Sequence, residues 1–378
     1  MDFDLSEEQR LLKDSVDRLV ADKYDFDKRK TYLKNEHGFS REVWSQFAEL
    51  GLLALPFSEA DGGFGGGAVE TMIVMESLGR ALAVEPYLAT VVLSGGVIRH
   101  AANEAQRAEF VPQIAGGEKI FAFAHHERAA RYNLACVSTK ATKDGDGYVI
   151  DGEKSLVLNG DAADWLIVSA RVLGGARDEN GIGLFLVDAR ANGVTRRGYW
   201  NQDATRSAEI SFSKVKVDAA HVLGEPGKAF PIIERVVHEA IAALCAEAVG
   251  GMGVAHADTV EYLKTRKQFG QVIGGFQALQ HRAAKMFTDI ELTRSCVIAA
   301  LDALDRNASN IAEWASLAKA RASDTLHLVS NETVQMFGGI GMTDAHDAGL
   351  YLKRARVSEG LYGGAAYHRD RYARQLGY

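Results

Sequence analysis

Two segments of this chain hold residue types that grip phosphate. In the first, Thr265-Arg266-Lys267-Gln268-Phe269-Gly270-Gln271-Val272-Ile273 is followed by Phe276-Gln277. In the second, Gln335-Met336-Phe337 leads into Gly338-Gly339-Ile340-Gly341. An arginine offers a planar fork of donors that matches phosphate oxygens. A glycine pair lets backbone N–H groups come close to an anion. Taken singly, Arg266 reads as a solvated helix-end arginine, and Gly338-Gly339 as an ordinary helix C-cap. Two carboxylates suggest a different chemistry. Glu239 precedes, and Glu247 sits within, an unusually apolar helical stretch from Ala240 to Val249. Burial raises a carboxyl pKa, which is what a general base near neutral pH needs. A salt bridge or a polar contact at a subunit interface is the competing role for both. The run Gly62-Gly63-Phe64-Gly65-Gly66-Gly67 has no strand before it and no Lys-Ser/Thr after it, so it reads as a flexible loop rather than a phosphate cradle. His125-His126 lacks further ligand spacing and reads as polar loop residues; no metal is expected.

The elements that must position these residues fall into three zones. Residues 1–120 read as helices: Ser6-Glu7-Glu8-Gln9 has capping-box form, and Leu12, Val16, Leu19 and Val20 follow on one face. Residues 121–226 change period. Cys136 to Thr142 and Tyr148 to Asp151 flank Asp144-Gly145-Asp146-Gly147, a hairpin signal, and 165–168, 183–187 and 208–212 are further strands. Short strands at this spacing predict a small barrel-like or sandwich domain. Residues 227–378 are helical again, near 228–264, 276–305 and 310–337, and predict a four-helix bundle. The fold class expected is α+β, in the order helical domain, β domain, helix bundle.

Composition narrows the function classes. With 378 residues, 47% hydrophobic and 25% charged, the chain suits a soluble protein of two or three domains. A formal net charge of -7 argues against nucleic acid and anionic membrane as partners. Cys136, Cys245 and Cys296 are widely spaced, as expected of buried thiols in a reduced compartment. The acidic Met1-Asp2-Phe3-Asp4 opening lacks the form of a signal peptide, and no apolar run approaches the roughly 20 residues of a membrane span. A cytoplasmic location is expected.

Together, the two phosphate-gripping segments, about seventy residues apart, resemble the R-x-x-F-G-x-x-I-x-x-x-Q and Q-x-x-G-G-x-G motifs of the acyl-CoA dehydrogenase family. The resemblance covers essentially the whole chain, including the Leu5 to Leu12 opening. It implies FAD as cofactor and an acyl-CoA thioester as substrate. It also implies that Arg266, Gln268, Phe269, Phe276, Gln277, Gln335, Gly338 and Gly339 touch a cofactor bound mainly by a neighbouring subunit.

Other family motifs are eroded. Where members carry T-E-P-G-A-G-S-D, this chain has His126-Glu127-Arg128-Ala129-Ala130-Arg131-Tyr132-Asn133, so only Glu127 and Ala130 match. W-I-T-N-G becomes Leu156-Val157-Leu158-Asn159-Gly160, without the aromatic platform and hydroxyl. The late Y-E-G-T becomes Leu361-Tyr362-Gly363-Gly364, and a phenol with a pKa near 10 is a poor base. The base position of isovaleryl-type members is Ala240, and the arginine after it is Ile241. Glu239 is then the first candidate for a relocated base and Glu247 the second, while Glu359 has a structural role.

These losses and retentions make the chain similar to non-catalytic small subunits of heterotetrameric members, including the branch called pimeloyl-CoA dehydrogenase small subunit. The function expected is an acyl-CoA dehydrogenase component that lends cofactor contacts to a homologous catalytic subunit in an α2β2 assembly, with an electron-transfer acceptor. The alternatives are a self-sufficient homo-oligomeric dehydrogenase with a relocated glutamate, and a non-enzymatic binding or scaffold protein that keeps the fold.

Overall fold

The computed structural model describes residues 5–378; the acidic Met1–Asp4 opening lies outside the described residues. Helix α1 (Glu7–Lys23) starts at the expected capping box: the Ser6 hydroxyl accepts from the Gln9 N–H and the Gln9 side chain accepts from the Ser6 N–H. Val16 and Val20 are its buried face. Helices α2 (Phe26–Tyr32), α3 (Arg41–Glu49) and α4 (Ala68–Arg80) follow. A π-helical segment, Leu88–Ser94, then runs into α5 (Gly95–Ala101), and α6 (Glu104–Ala115) closes the zone. The glycine run is not the flexible loop its composition suggests. Its backbone is tied back by Gly63 N–H to Ser58 O at 2.8 Å, Gly65 N–H to Phe57 O at 2.7 Å and Gly66 N–H to Leu55 O at 2.8 Å.

The middle zone holds eight strands: β1 (Phe121–Ala124), β2 (Lys140–Asp144), β3 (Gly147–Leu158), β4 (Trp165–Arg171), β5 (Ile182–Asp188), β6 (Val194–Trp200), β7 (Arg206–Val217) and β8 (Val222–Gly227). They form one sheet in the order β6-β7-β3-β2-β4-β5-β8, with β1 parallel to β4. The expected hairpin joins β2 and β3, with Asp144 opposite Gly147. One apolar core, including Ile150, Leu166, Phe185 and Ile210, lies against the sheet. Its register shifts between Lys154 and Val157, where Leu156 takes a positive φ of 51°, the mark of a bulge.

The last zone begins with α7 (Phe230–Thr265). A hairpin, β9 (Lys267–Gln268) and β10 (Gln271–Val272), leads to α8 (Gln277–Asp305), α9 (Ile311–Phe337), α10 (Ala348–Gly360) and α11 (Ala365–Gln375). Contrary to the sequence expectation, α7 is long and apolar enough to cross a membrane, but 72% of its apolar window is buried within the protein. It is a core helix.

The chain gathers into two compact units. One comprises residues up to Lys30, Ala68–Ala83 and Ile241–Tyr378; the other comprises Thr31–Gly67 and Val84–Ala240. In the first unit α4 packs on α7 at backbone distance. A Cβ on Gly79 would lie 2.0 Å from the Glu247 carbonyl oxygen, and one on Gly250 would lie 2.0 Å from that of Glu76. The N-terminus of α4 is capped from afar, the Ala68 N–H donating to Asp305 at the end of α8 (2.6 Å).

Candidate functional site

The two phosphate-type segments of the first unit emerge where α7 and α9 end. Tyr262 of α7 stacks on Phe337 of α9 with ring centroids 4.5 Å apart, and below them the Thr259 and Thr333 hydroxyls are bonded at 3.2 Å. Beyond α7 the chain turns through the β9–β10 hairpin, closed by the Ile273 N–H on Arg266 O at 2.9 Å. Its two loop residues, Phe269 (φ 52°) and Gly270 (φ 80°), both have positive φ, as a type I′ turn requires. A bulky residue there is strained. Phe269 is nevertheless 90% exposed, touching Phe276 edge-on at 6.2 Å.

Beyond α9, Gly338 has φ 65° and ψ -140°, a backbone state that essentially only glycine adopts. Nothing lies within 4 Å of where its Cβ, or that of Gly339, would stand. Arg266, Gln268, Gln277, Gln335, Gly338 and Gly339 are exposed, and Phe276 is half-buried. Gln268 Nε2 bonds only to the Lys267 carbonyl next to it, at 2.8 Å. This end of the unit thus presents an arginine, an aromatic ring and open glycine backbone to an outside ligand.

The carboxylates behave differently from what a base requires. Glu239, in the second unit, accepts from Arg99 Nη2 at 2.7 Å, from Arg235 Nε at 2.9 Å and pairs with His100 Nε2 at 2.8 Å. Burial alone would raise its pKa. The His100 hydrogen bond and the Arg99 charge outweigh burial and hold it down at about 2, far from the poise of a base near neutrality. Glu247 is buried and ion-paired to Arg354, whose Nη2 also donates to Ala83 O at 3.0 Å. Beside this pair runs a narrow cleft lined by Gly79, Met252, Leu326 and Tyr351.

Of the other positions expected for a base, Ala240 is buried, as is Ile241 in the place of the arginine after it. Tyr362 has a φ of 58°, its carbonyl accepts from His368 Nε2 at 2.9 Å, and burial pushes its phenol pKa up. Glu359 accepts from Arg356 (3.2 Å). Burial raises the carboxyl pKa of Asp258 and of Asp305, and the latter is the α4 cap.

The eroded loop of the middle zone is packed with its own side chains. His126 Nδ1 pairs with Ser155 Oγ at 3.0 Å and its Nε2 with Arg131 O at 2.9 Å, so one ring clamps the loop to β3. Arg131 sits at a φ of 51°. The matching residue Glu127 is inside the protein: it takes Lys154 Nζ at 2.7 Å and the N–H groups of Ser138 and Thr139 at 2.7 and 2.9 Å. Lys154 also donates to Ser169 Oγ and His125 O, both at 3.1 Å. His125 is not a polar loop residue. It is buried, stacked on Phe123 at 5.4 Å, and burial drives its pKa down to about 3. The Lys154 partnership was missed in the sequence; a lysine in mid-strand after Gly152-Glu153 is its only local signal. Among the described residues no metal-ligating cluster occurs.

Helices, a sheet and a helix bundle in this order define an α+β architecture, with an exposed hairpin and glycine turn at one end of the first unit. The sequence matches Acyl-CoA dehydrogenase, N-terminal domain, over residues 6–118, its middle domain over 122–215 and its C-terminal domain over 230–377. The chain belongs to the acyl-CoA dehydrogenase family, whose members are flavin-dependent and bind FAD. It is 31% identical over the full length of both chains to the probable acyl-CoA dehydrogenase YngJ of Bacillus subtilis. Among solved structures it is similar to butyryl-CoA dehydrogenase of Megasphaera elsdenii, with a TM-score of 0.91, 28% identity and complete coverage of both chains. It is similar also to a chain of the ChsE4-ChsE5 complex of Mycobacterium tuberculosis, with a TM-score of 0.91, 26% identity and coverage of 100% and 99%. The exposed end of the first unit fits the phosphate-bearing part of FAD. The clamped, glycine-free loop of the second does not fit close backbone approach to a flavin.

Proposed function

We propose that this chain is a component of a heteromeric acyl-CoA dehydrogenase that lends FAD contacts to a homologous catalytic subunit. The assembly is an α2β2 tetramer, cytoplasmic, acting on an acyl-CoA thioester and passing electrons to a separate acceptor. One observation carries the reading. Most of the residues a neighbour's cofactor would meet stand exposed on the hairpin after α7 and the glycine turn after α9, whereas the carboxylates and loop the chain would need for itself are ion-paired or filled. Similarity to a chain of the two-protein ChsE4-ChsE5 complex supports the heteromeric form.

In such an assembly FAD supplies the two-electron acceptor. Arg266 would set its fork against the pyrophosphate, Gly338 and Gly339 would bring backbone N–H groups to the adenosine phosphate, and Phe269 would cover an aromatic or sugar face. The α-proton would be taken by a carboxylate of the partner, since Tyr362 and Ala240 offer none and Glu239 is held ionised by cations.

The test is purification of the native complex with its subunits identified and the flavin-to-chain ratio measured. The expected result is a colourless isolated chain and a yellow complex holding less than one flavin per chain. Full flavin occupancy with turnover in the isolated chain would overturn the reading.

A further inference from the structure

The loop after β1 holds an arginine in a strained backbone state, and that arginine makes no polar side-chain contact within the described protein. In the second unit, residues 127–136 run through three linked turns. Ala130 N–H donates to Glu127 O (2.9 Å), Asn133 N–H to Ala130 O (3.0 Å) and Cys136 N–H to Asn133 O (3.1 Å). His126 ties the loop to β3. A carbonyl only accepts, so His126 Nε2–H donates to Arg131 O (2.9 Å), and Nδ1 takes the Ser155 hydroxyl (3.0 Å). Arg131 has a φ of 51°, a left-handed state that costs an arginine free energy and that glycine or asparagine adopts more readily. Yet among the described residues no hydrogen bond or ion pair takes its exposed guanidinium. Three residues earlier the Arg128 side chain is 82% exposed and meets Glu209 only at 3.4 Å. Glu209 itself stands opposite the exposed Arg197 across β6 and β7. A loop built only for rigidity gains nothing from an arginine at this position. One that holds a guanidinium outward in a fixed place does.

We propose that Arg131 and Arg128 form an oxyanion-binding loop, held in shape by His126, for a soluble ligand that bears a phosphate or a carboxylate. A guanidinium fork matches the paired oxygens of either group. Fixing the backbone beforehand removes the ordering cost that an arginine on a mobile loop meets on binding. The inference stands apart from the lent-cofactor reading.

The purified full chain is titrated at low salt with inorganic pyrophosphate and with glutarate, by calorimetry. Saturable binding is expected, weakened about tenfold by Arg131→Asn, which suits the left-handed backbone and removes the charge. Arg177→Gln is the control. Arg177 is exposed, on another loop of the same unit, and likewise without a partner among the described residues; its loss should change binding less than about twofold. His126→Phe keeps both arginines and a ring but not the clamp, so binding should fall about threefold with no guanidinium lost. Tighter binding of pyrophosphate assigns the loop to a phosphate ligand, and tighter binding of glutarate to a carboxylate. No saturable binding of either anion, or equal losses from Arg131→Asn and Arg177→Gln, overturns the proposal. Arg131→Asn removes no polar contact within the described protein, so its result stands even where His126→Phe fails to fold. Neither flavin nor partner enters the measurement, so its failure is distinct from failure of the lent-cofactor reading.

Discussion

Tyr262 lies against Phe337 with their rings 29° from parallel and centroids 4.5 Å apart, and this contact sets the exits of two helices side by side. The hairpin that follows α7 and the glycine turn that follows α9 therefore depart from one place, although about seventy residues separate them in sequence. Phe337 is buried, and its other neighbour is His346, 4.3 Å away. The aromatic stack is a rigid base for two backbone segments that stand in solvent.

On that base Phe269 is held in a conformation its side chain disfavours. Asn-Gly is the preferred pair for a type I′ turn, because asparagine tolerates positive φ. Phe269→Asn is expected to stabilise the isolated chain by up to about 1 kcal/mol in urea unfolding. The same substitution should lower FAD retention in the complex. A loss of stability instead would mean that the edge contact with Phe276 outweighs the backbone strain.

Glu239 makes acid stability a direct readout of its partners. Its folded pKa, about 2, lies below the ordinary 4.5, so the folded state binds this proton less readily than the unfolded chain. The resulting stabilisation is fully present above about pH 4.5 and is lost as pH falls toward 2. Glu239→Gln should cost about 2 kcal/mol at neutral pH, because it removes the largely buried carboxylate that the partly exposed Arg99, His100 and Arg235 share. It should also flatten the stability profile across that acid window. Urea titrations at successive pH values measure both effects, and parallel profiles for the two proteins would contradict the assignment.

The pair between Glu127 and Lys154 is closed on every side, with Lys154 about 1% exposed. Lys154→Met removes one charge and leaves the other buried, a change that costs on the order of 3–5 kcal/mol. The double variant Lys154→Met with Glu127→Gln should recover part of that loss. Denaturant unfolding of the parent protein, Lys154→Met, Glu127→Gln and the double variant gives the coupling directly. Independent, additive losses would show that the two residues are not a pair.

The long helices were readable because a 3.6-residue period sustained over many turns has no rival. Stretches near 228–264, 276–305 and 310–337 became α7, α8 and α9 with ends shifted by a residue or two. Strands β1 and β6 carried no such signal. Phe121–Ala124 is buried throughout and so does not alternate, and Val194–Trp200 is largely polar and exposed. The fate of Glu239 was only partly legible. Arg235 lies one helical turn before it, but Arg99 and His100 lie 140 and 139 residues away in sequence, and no local pattern announces a contact made by tertiary folding. Glu127 was visible as a matching residue; its reason, Lys154 at 27 residues' separation, was not.

The crossing of α4 and α7 predicts opposite signs for two glycines of the same helix. In an exposed helix, alanine is better than glycine by about 1 kcal/mol. Gly253 has nothing within 4 Å of its would-be Cβ, so Gly253→Ala should be neutral or stabilising by up to that amount. At Gly250 the added atom would lie 2.0 Å from the Glu76 carbonyl oxygen, and backbone on both sides leaves no flexible side chain to move aside. Gly250→Ala must push the helices apart, disturbing the Gly79 contact and the Glu247–Arg354 pair in the same layer. A loss of about 3 kcal/mol or more is expected. Urea unfolding of both variants decides it: equal stability of Gly250→Ala and Gly253→Ala would show that α4 and α7 are not in backbone contact.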